Sequence, residues 1–292
     1  MSSETLATMP ESGAIGLATF FFVIMFFGSF TNSLIIITLL KYRKVTFTQP
    51  GNLLVCSLAI GDFLVVTLAC PLGFASAIVN KWTSGHSGCV WYAFITTWVG
   101  LTAILQLTAV AYRRAHTLAS PVAPVESQYG DLKFIIASWI IAFVTSLFPI
   151  FGWSAYVFEG FGLHCSILWT SAQIKHLSYS VFLLLFFFVI PVIIMVASYI
   201  RMFLVVKNLS SNAKQLWGQN AQWTQQSYLL QKRLTKQLLF VTTGFLVAWS
   251  PYAVACILKI FTNIEFAFGS HELPSLFTKT SNIMYYYKVS RE

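Results

Sequence analysis

Lys279 stands inside an apolar stretch near the end of the chain, seven residues past Glu272. On a helix rising about 1.5 Å per residue, that spacing sets it roughly 10 Å below the outer helix end. A lysine charged at such depth in lipid costs at least about 2.5 kcal/mol, so an intramembrane lysine points to function. Desolvation favours the neutral amine, which can attack an aldehyde carbon to form an imine and release water. The alternative is a lysine that snorkels to the interface, an arrangement better suited to helix ends than to this depth.

A protonated imine buried in the membrane needs an anion beside it. Of the nine acids, seven fall at termini, in loops or at a helix edge: Glu4, Glu11, Glu126, Asp131, Glu265, Glu272 and Glu292. Two remain as partners: Asp62, inside the second apolar stretch, and Glu159, in a loop close to Cys165. Of five cysteines, Cys56, Cys70 and Cys256 lie within apolar stretches and read as small buried hydrophobes. Cys89 opens the third stretch on the outer side and Cys165 lies in the next outer loop, where an oxidising compartment preserves a disulfide. A Cys89–Cys165 bridge would pin loop 154–175 over the bundle and make Glu159 and His164 candidate lid residues.

The elements that position these residues follow from composition. The 292 residues are 57% hydrophobic and 9% charged, and the mean hydropathy is +0.73. That is too apolar for a water-soluble domain and indicates an all-α membrane protein. Seven stretches can each cross a bilayer, which takes about 20 apolar residues. They run over residues 13–40, 51–79, 87–112, 134–153, 176–206, 235–262 and 272–289 of a single domain, 1–292. Strand alternation and internal repeats are not expected. Residues 1–12 lack the basic start and apolar core of a signal peptide, so the first span is expected to direct insertion. The long polar stretch 207–233 reads as a cytoplasmic loop, and the Asn208-Leu209-Ser210 sequon within it is expected to be unused.

Fourteen of the 18 basic residues gather on one side: Lys41, Arg43, Lys44, Arg113, Arg114, Lys133, Arg201, Lys207, Lys214, Lys232, Arg233, Lys236, Lys288 and Arg291. Only Lys81, Lys175 and Lys259 face the other side. The positive-inside rule then places the amino terminus outside. The net charge of +9 reads as attraction to the anionic inner leaflet, with no nucleic-acid partner required.

Leu276-Phe277-Thr278-Lys279-Thr280-Ser281 resembles the retinal-lysine segment of animal opsins, and Gly152-Trp153-Ser154-Ala155-Tyr156-Val157-Phe158-Glu159-Gly160 resembles their outer loop, with Glu159 six residues before Cys165. The frame resembles the rhodopsin-like receptor family from Asn32 to Ser281. Asn32, Asp62 in Leu58-Ala59-Ile60-Gly61-Asp62, Trp139, Pro191 with Tyr199, and Trp249-Ser250-Pro251-Tyr252 stand at its marker positions. In the last motif a proline permits a kink. Cys89-Val90-Trp91-Tyr92 and Gly244-Phe245-Leu246-Val247-Ala248-Trp249 look most like neuropsin-type non-visual pigments.

The resemblance implies retinal, 11-cis or all-trans, bound covalently to Lys279. Tyr92 replaces the third-span counterion Glu of vertebrate visual opsins, so Glu159 becomes the implied counterion; a chloride ion or a purely surface role for Glu159 are the alternatives. Opsins with this pattern tend to keep retinal after illumination. Asp62 and Asn32 would belong to the family's polar core. The implied pocket comprises Tyr92, Thr96, Thr97, Gly100, Phe187, Phe188, Phe245, Trp249 and Tyr252, although single phenylalanines in so aromatic a chain are often core or lipid-facing.

Two features depart from the family. Tyr112-Arg113-Arg114-Ala115-His116 carries Arg113 where the family has an acid, so the G-protein-facing Arg114 is expected to lose its restraint, giving constitutive activity or lost coupling. A plain positive-inside cluster is the alternative. Tyr285 and Tyr286 replace an Asn-Pro pair and the sequence stops at Glu292, with no eighth helix and no terminal cysteine for a lipid anchor.

The expected function is a plasma-membrane photoreceptor, not an enzyme, acting through a heterotrimeric G protein. The alternatives are a retinal photoisomerase, a retinal ion pump and a receptor for another ligand. A pump needs a relay of membrane carboxylates, and the third span has none.

Overall fold

Long apolar stretches leave the backbone one way to satisfy its polar groups in lipid, the α-helix. A computed structural model of the chain describes residues 9–46, 51–119, 128–169, 171, 173–211, 233, 236, 239–240, 242–244, 247, 254 and 257–258. Among them are five stretches long and apolar enough to cross a membrane: Glu11–Lys41, Asn52–Val79, Gly85–Leu118, Gly130–Leu147 and Ile174–Val205. The expected seventh span, and with it Lys279, lies outside the described residues, as does most of the sixth.

The order is α1 (Glu11–Lys41), the short α2 (Arg43–Thr46), α3 (Asn52–Leu68), α4 (Cys70–Val79), α5 (Gly85–Ala119), α6 (Gln128–Leu147), β1 (Tyr156–Glu159), β2 (His164–Ile167), α7 (Ile174–Leu184) and α8 (Ile190–Ser211). The second span is two helices because Pro71 has no N–H for the carbonyl of Thr67, and the chain breaks at Ala69. In the fifth span a π-helical turn, Leu185–Val189, joins α7 to α8. Ile190 N–H reaches back five residues to the Leu185 carbonyl, just before Pro191, which has no N–H to give.

The 35-residue α5 is the hub, touching α3, α6, α8 and both strands. Gly61 lets α3 approach it closely, since a Cβ there would lie 3.1 Å from Val99 Cγ1. A polar cluster fixes the three-way junction. Gln106 Nε2 donates to Ser57 Oγ at 2.9 Å and to Ser138 Oγ at 3.1 Å, and Trp139 Nε1 also donates to Ser57 Oγ at 2.9 Å. Large apolar side chains such as Phe26, Phe30, Ile193 and Phe203 are exposed on the helices, as lipid contact requires.

Two sequence expectations change. The fourth span runs over Gln128–Leu147 and not 134–153. It starts earlier because Asp131 is buried in an ion pair. It ends earlier because Pro149 cannot donate to the Thr145 carbonyl. Tyr179 Oη donates there instead at 3.0 Å, and Tyr156 Oη donates to the Ser146 carbonyl at 2.8 Å, so two tyrosines cap the helix end. The outer loop, expected without strands, holds an antiparallel hairpin of two four-residue strands.

Candidate functional site

The hairpin register pairs Tyr156 with Ile167, Val157 with Ser166, Phe158 with Cys165 and Glu159 with His164. Side chains of a strand alternate between faces. Tyr156, Phe158, Cys165 and Ile167 therefore share one face, and Val157, Glu159, His164 and Ser166 share the other. Glycines at positive φ, Gly160 at 59° and Gly162 at 72°, serve the turn. The expected Cys89–Cys165 disulfide is present, with Cα atoms 5.4 Å apart. It ties β2 to the first turns of α5 and closes the loop over the outer end of the bundle.

Glu159 is held by that lid. Its Oε2 lies 3.4 Å from His164 Nε2. Burial acts to raise its pKa, but hydrogen bonds from His164, Ser166 and Trp169 and the nearby imidazole outweigh it, holding the carboxyl below the usual carboxylate range. On the opposite face, burial pushes the Tyr156 phenol well up despite a hydrogen bond with Thr97.

Beneath the lid, Tyr92, Thr96 and Gly100 recur at four-residue spacing along one face of α5, over about 12 Å. The Tyr92 ring meets Trp82 edge-on at 5.9 Å. Thr96 Oγ1 donates to the Tyr92 carbonyl at 2.8 Å. A Cβ added at Gly100 would meet no atom of the described residues within 4 Å, so none of them fills the space beside this glycine. Phe187, buried in the π turn, packs with Leu101, Ala142 and Phe182, and Phe188 is half-buried. Phe187 thus fills the core between α5 and α6. Phe245, Trp249, Tyr252 and Lys279 lie outside the described residues.

In the polar core, Asn32 Nδ2 donates at 2.9 Å to the Gly28 carbonyl of its own helix, and no hydrogen bond joins Asn32 to Asp62 among the described residues. At the cytoplasmic end Arg113 has an acid partner that the sequence did not reveal. It is buried, with Nε 2.9 Å from Asp131 Oδ1 on α6. Arg114 is buried beside it and donates from Nη2 to Asn52 Oδ1 at 2.8 Å. Sequence reasoning missed Asp131, Tyr156, Ser166 and Trp169. Only the single acid near the start of the fourth span signalled the first of them.

Geometry and fold together define a multi-pass membrane protein of receptor type, with a disulfide-tethered lid over a helix bundle. The chain matches the family model of the 7 transmembrane receptor (rhodopsin family) over residues 31–288, and it belongs to that family. Relatives within it are animal opsins. Melanopsin of Phodopus sungorus is 29% identical over 286 residues, covering 94% of this chain and 59% of that protein. The rhodopsin of Mizuhopecten yessoensis described as G0-coupled is 32% identical over 262 residues, covering 87% and 63%. The chain therefore spans less than two thirds of the length of these curated relatives. The crystal structure of squid rhodopsin superposes with a TM-score of 0.81 at 24% identity, covering 91% of this chain and 79% of that one, which shows the shared fold.

Proposed function

We propose that this chain is a light sensor that holds retinal covalently through Lys279, uses Glu159 as the counter-charge, and signals at the plasma membrane through a heterotrimeric G protein. The observation that carries the reading is Glu159: a carboxyl held below the usual carboxylate range by three hydrogen bonds, on a hairpin tethered by Cys165 to α5, the helix that also carries Tyr92, Thr96 and Gly100. The residue types fit the ligand, since a long apolar molecule favours aromatic partners such as Phe188, Phe245, Trp249 and Tyr252 and a positively charged linkage needs an anion such as Glu159.

When bound, retinal supplies a polyene whose shape changes on absorbing light. Lys279 would hold it. Tyr92, Thr96, Thr97 and Gly100 would line one side, Phe188 another, and Phe245, Trp249 and Tyr252 of the sixth span would complete the cleft. A push on Trp249 would bias the bundle between two arrangements. Tyr199 Oη and Thr242 Oγ1, 2.5 Å apart, join the fifth and sixth spans and would have to part. Relatives named melanopsin and G0-coupled rhodopsin support the reading.

A retinal photoisomerase with little or no coupling is the second reading, favoured by Arg113, which stands where the family has an acid and is paired with Asp131 on α6. Membranes bearing the protein, supplied with 11-cis retinal, should accelerate nucleotide exchange on a heterotrimeric G protein in light and not in darkness. No acceleration, with illuminated protein releasing isomerised retinal turn after turn, would replace the receptor by the photoisomerase.

A further inference from the structure

We propose that Asp131 is the acid that restrains the cytoplasmic end of α5, acting from α6 on Arg113 and so positioning Arg114. Three chain segments meet there. Asp131 Oδ1 takes Arg113 Nε at 2.9 Å, while its Oδ2 accepts the Gly51 N–H at 2.6 Å, so both oxygens are engaged and α3, α5 and α6 are clipped through one carboxylate. The two charged side chains are only 6% and 4% exposed. Removing either partner leaves a buried charge uncompensated.

The surrounding residues are shaped for this clip. Gly51 has φ of 85°, a conformation that side chains rarely tolerate, and that geometry presents its N–H to Asp131. Its missing Cβ also leaves space for Arg114, whose Nε would lie 3.4 Å from such an atom. At Gly130 a Cβ would lie 3.0 Å from Arg113 Nη2, so that glycine makes room for the guanidinium. Arg114 then points to Asn52, the residue after Gly51, and its buried Nε has no hydrogen-bond partner among the described residues. The arginine is thus placed mainly by packing and by one bond, while the ionic hold on its helix is exerted at the preceding residue. Motion of α5 against α6 must break the Arg113–Asp131 pair, and motion of α5 against α3 the Arg114–Asn52 bond.

The signalling consequence rests on the receptor reading above; the clip itself does not. The test compares full-length Asp131→Asn, Arg113→Gln and the charge-exchanged double variant Arg113→Asp with Asp131→Arg in membranes. Two readouts apply: amide hydrogen exchange at Gly51 to Val55 and light-independent nucleotide exchange on the G protein. Each single variant should raise amide exchange at Gly51 at least tenfold and raise dark activity several-fold, with the double variant recovering at least part of the dark restraint. Unchanged amide exchange in both single variants would overturn the clip. Raised amide exchange with unchanged dark activity, in protein that responds to light, would overturn the restraint. If the parent protein gives no light response at all, the receptor reading fails while a raised exchange still upholds the clip. A variant that misfolds is replaced by Gly130→Ala, which crowds Arg113 without removing a charge and should act in the same direction.

Discussion

Glu159 shows how one carboxyl can stay charged at a partly buried position. Desolvation opposes its charge, and the hydrogen bonds from His164, Ser166 and Trp169 more than offset that cost. Its folded pKa lies below its unfolded value, so its contribution is fully present above the ordinary carboxylate range, near pH 4.5, and is lost as pH falls through the lower folded value. Thermal stability of the purified protein should therefore drop between about pH 4.5 and more acidic conditions, and Glu159→Gln should flatten that part of the profile. His164→Ala removes the first of the helping bonds, so the acid midpoint should move toward higher pH. A profile unchanged in both variants would show that the carboxyl is not held as described. Sequence alone singled out Glu159 by counting acids, but it could not supply the partners, because these depend on strand register over a four-residue hairpin too short to show periodicity.

At the scale of elements, two devices hold α5 in place besides the Asp131 clip. The first is the Ser57, Gln106, Ser138 and Trp139 cluster joining α3, α5 and α6. Ser57→Ala would strip an acceptor from both Gln106 and Trp139, and should cost about 1–3 kcal/mol of stability, measurable as an earlier thermal transition in detergent. The second is the Cys89–Cys165 bridge. Cys89→Ser, Cys165→Ser and the double variant should lose the lid to the same degree, read as equal rises in amide exchange over residues 156–167, because one bond is removed in each case. The helices of the first five spans and this bridge were legible from apolar runs and cysteine placement. The start of α6 was not, because an Asp131 buried by pairing with a distant arginine looks, in a single sequence, like a charge marking a helix edge. The π turn before Pro191 was equally hidden: a proline marks a local irregularity, and only packing decides which kind.

The whole molecule is a membrane bundle in which the outer and cytoplasmic ends are fastened by different chemistry. A disulfide and a hairpin close the outer end, and a charge pair that breaks no covalent bond when it opens closes the other. That division suits a protein whose ligand stays under a fixed lid while its cytoplasmic face changes shape. Lys279 and Glu159 are proposed to serve one retinal pigment. The most direct test is the absorption spectrum of full-length protein reconstituted with 11-cis retinal, beside Lys279→Ala and Glu159→Gln. A visible band in the parent, absent from Lys279→Ala and moved toward the ultraviolet in Glu159→Gln, is the expected result. A parent protein that is folded and membrane-inserted yet shows no band would contradict the pigment, and a band indifferent to Glu159→Gln would remove Glu159 as its counter-charge.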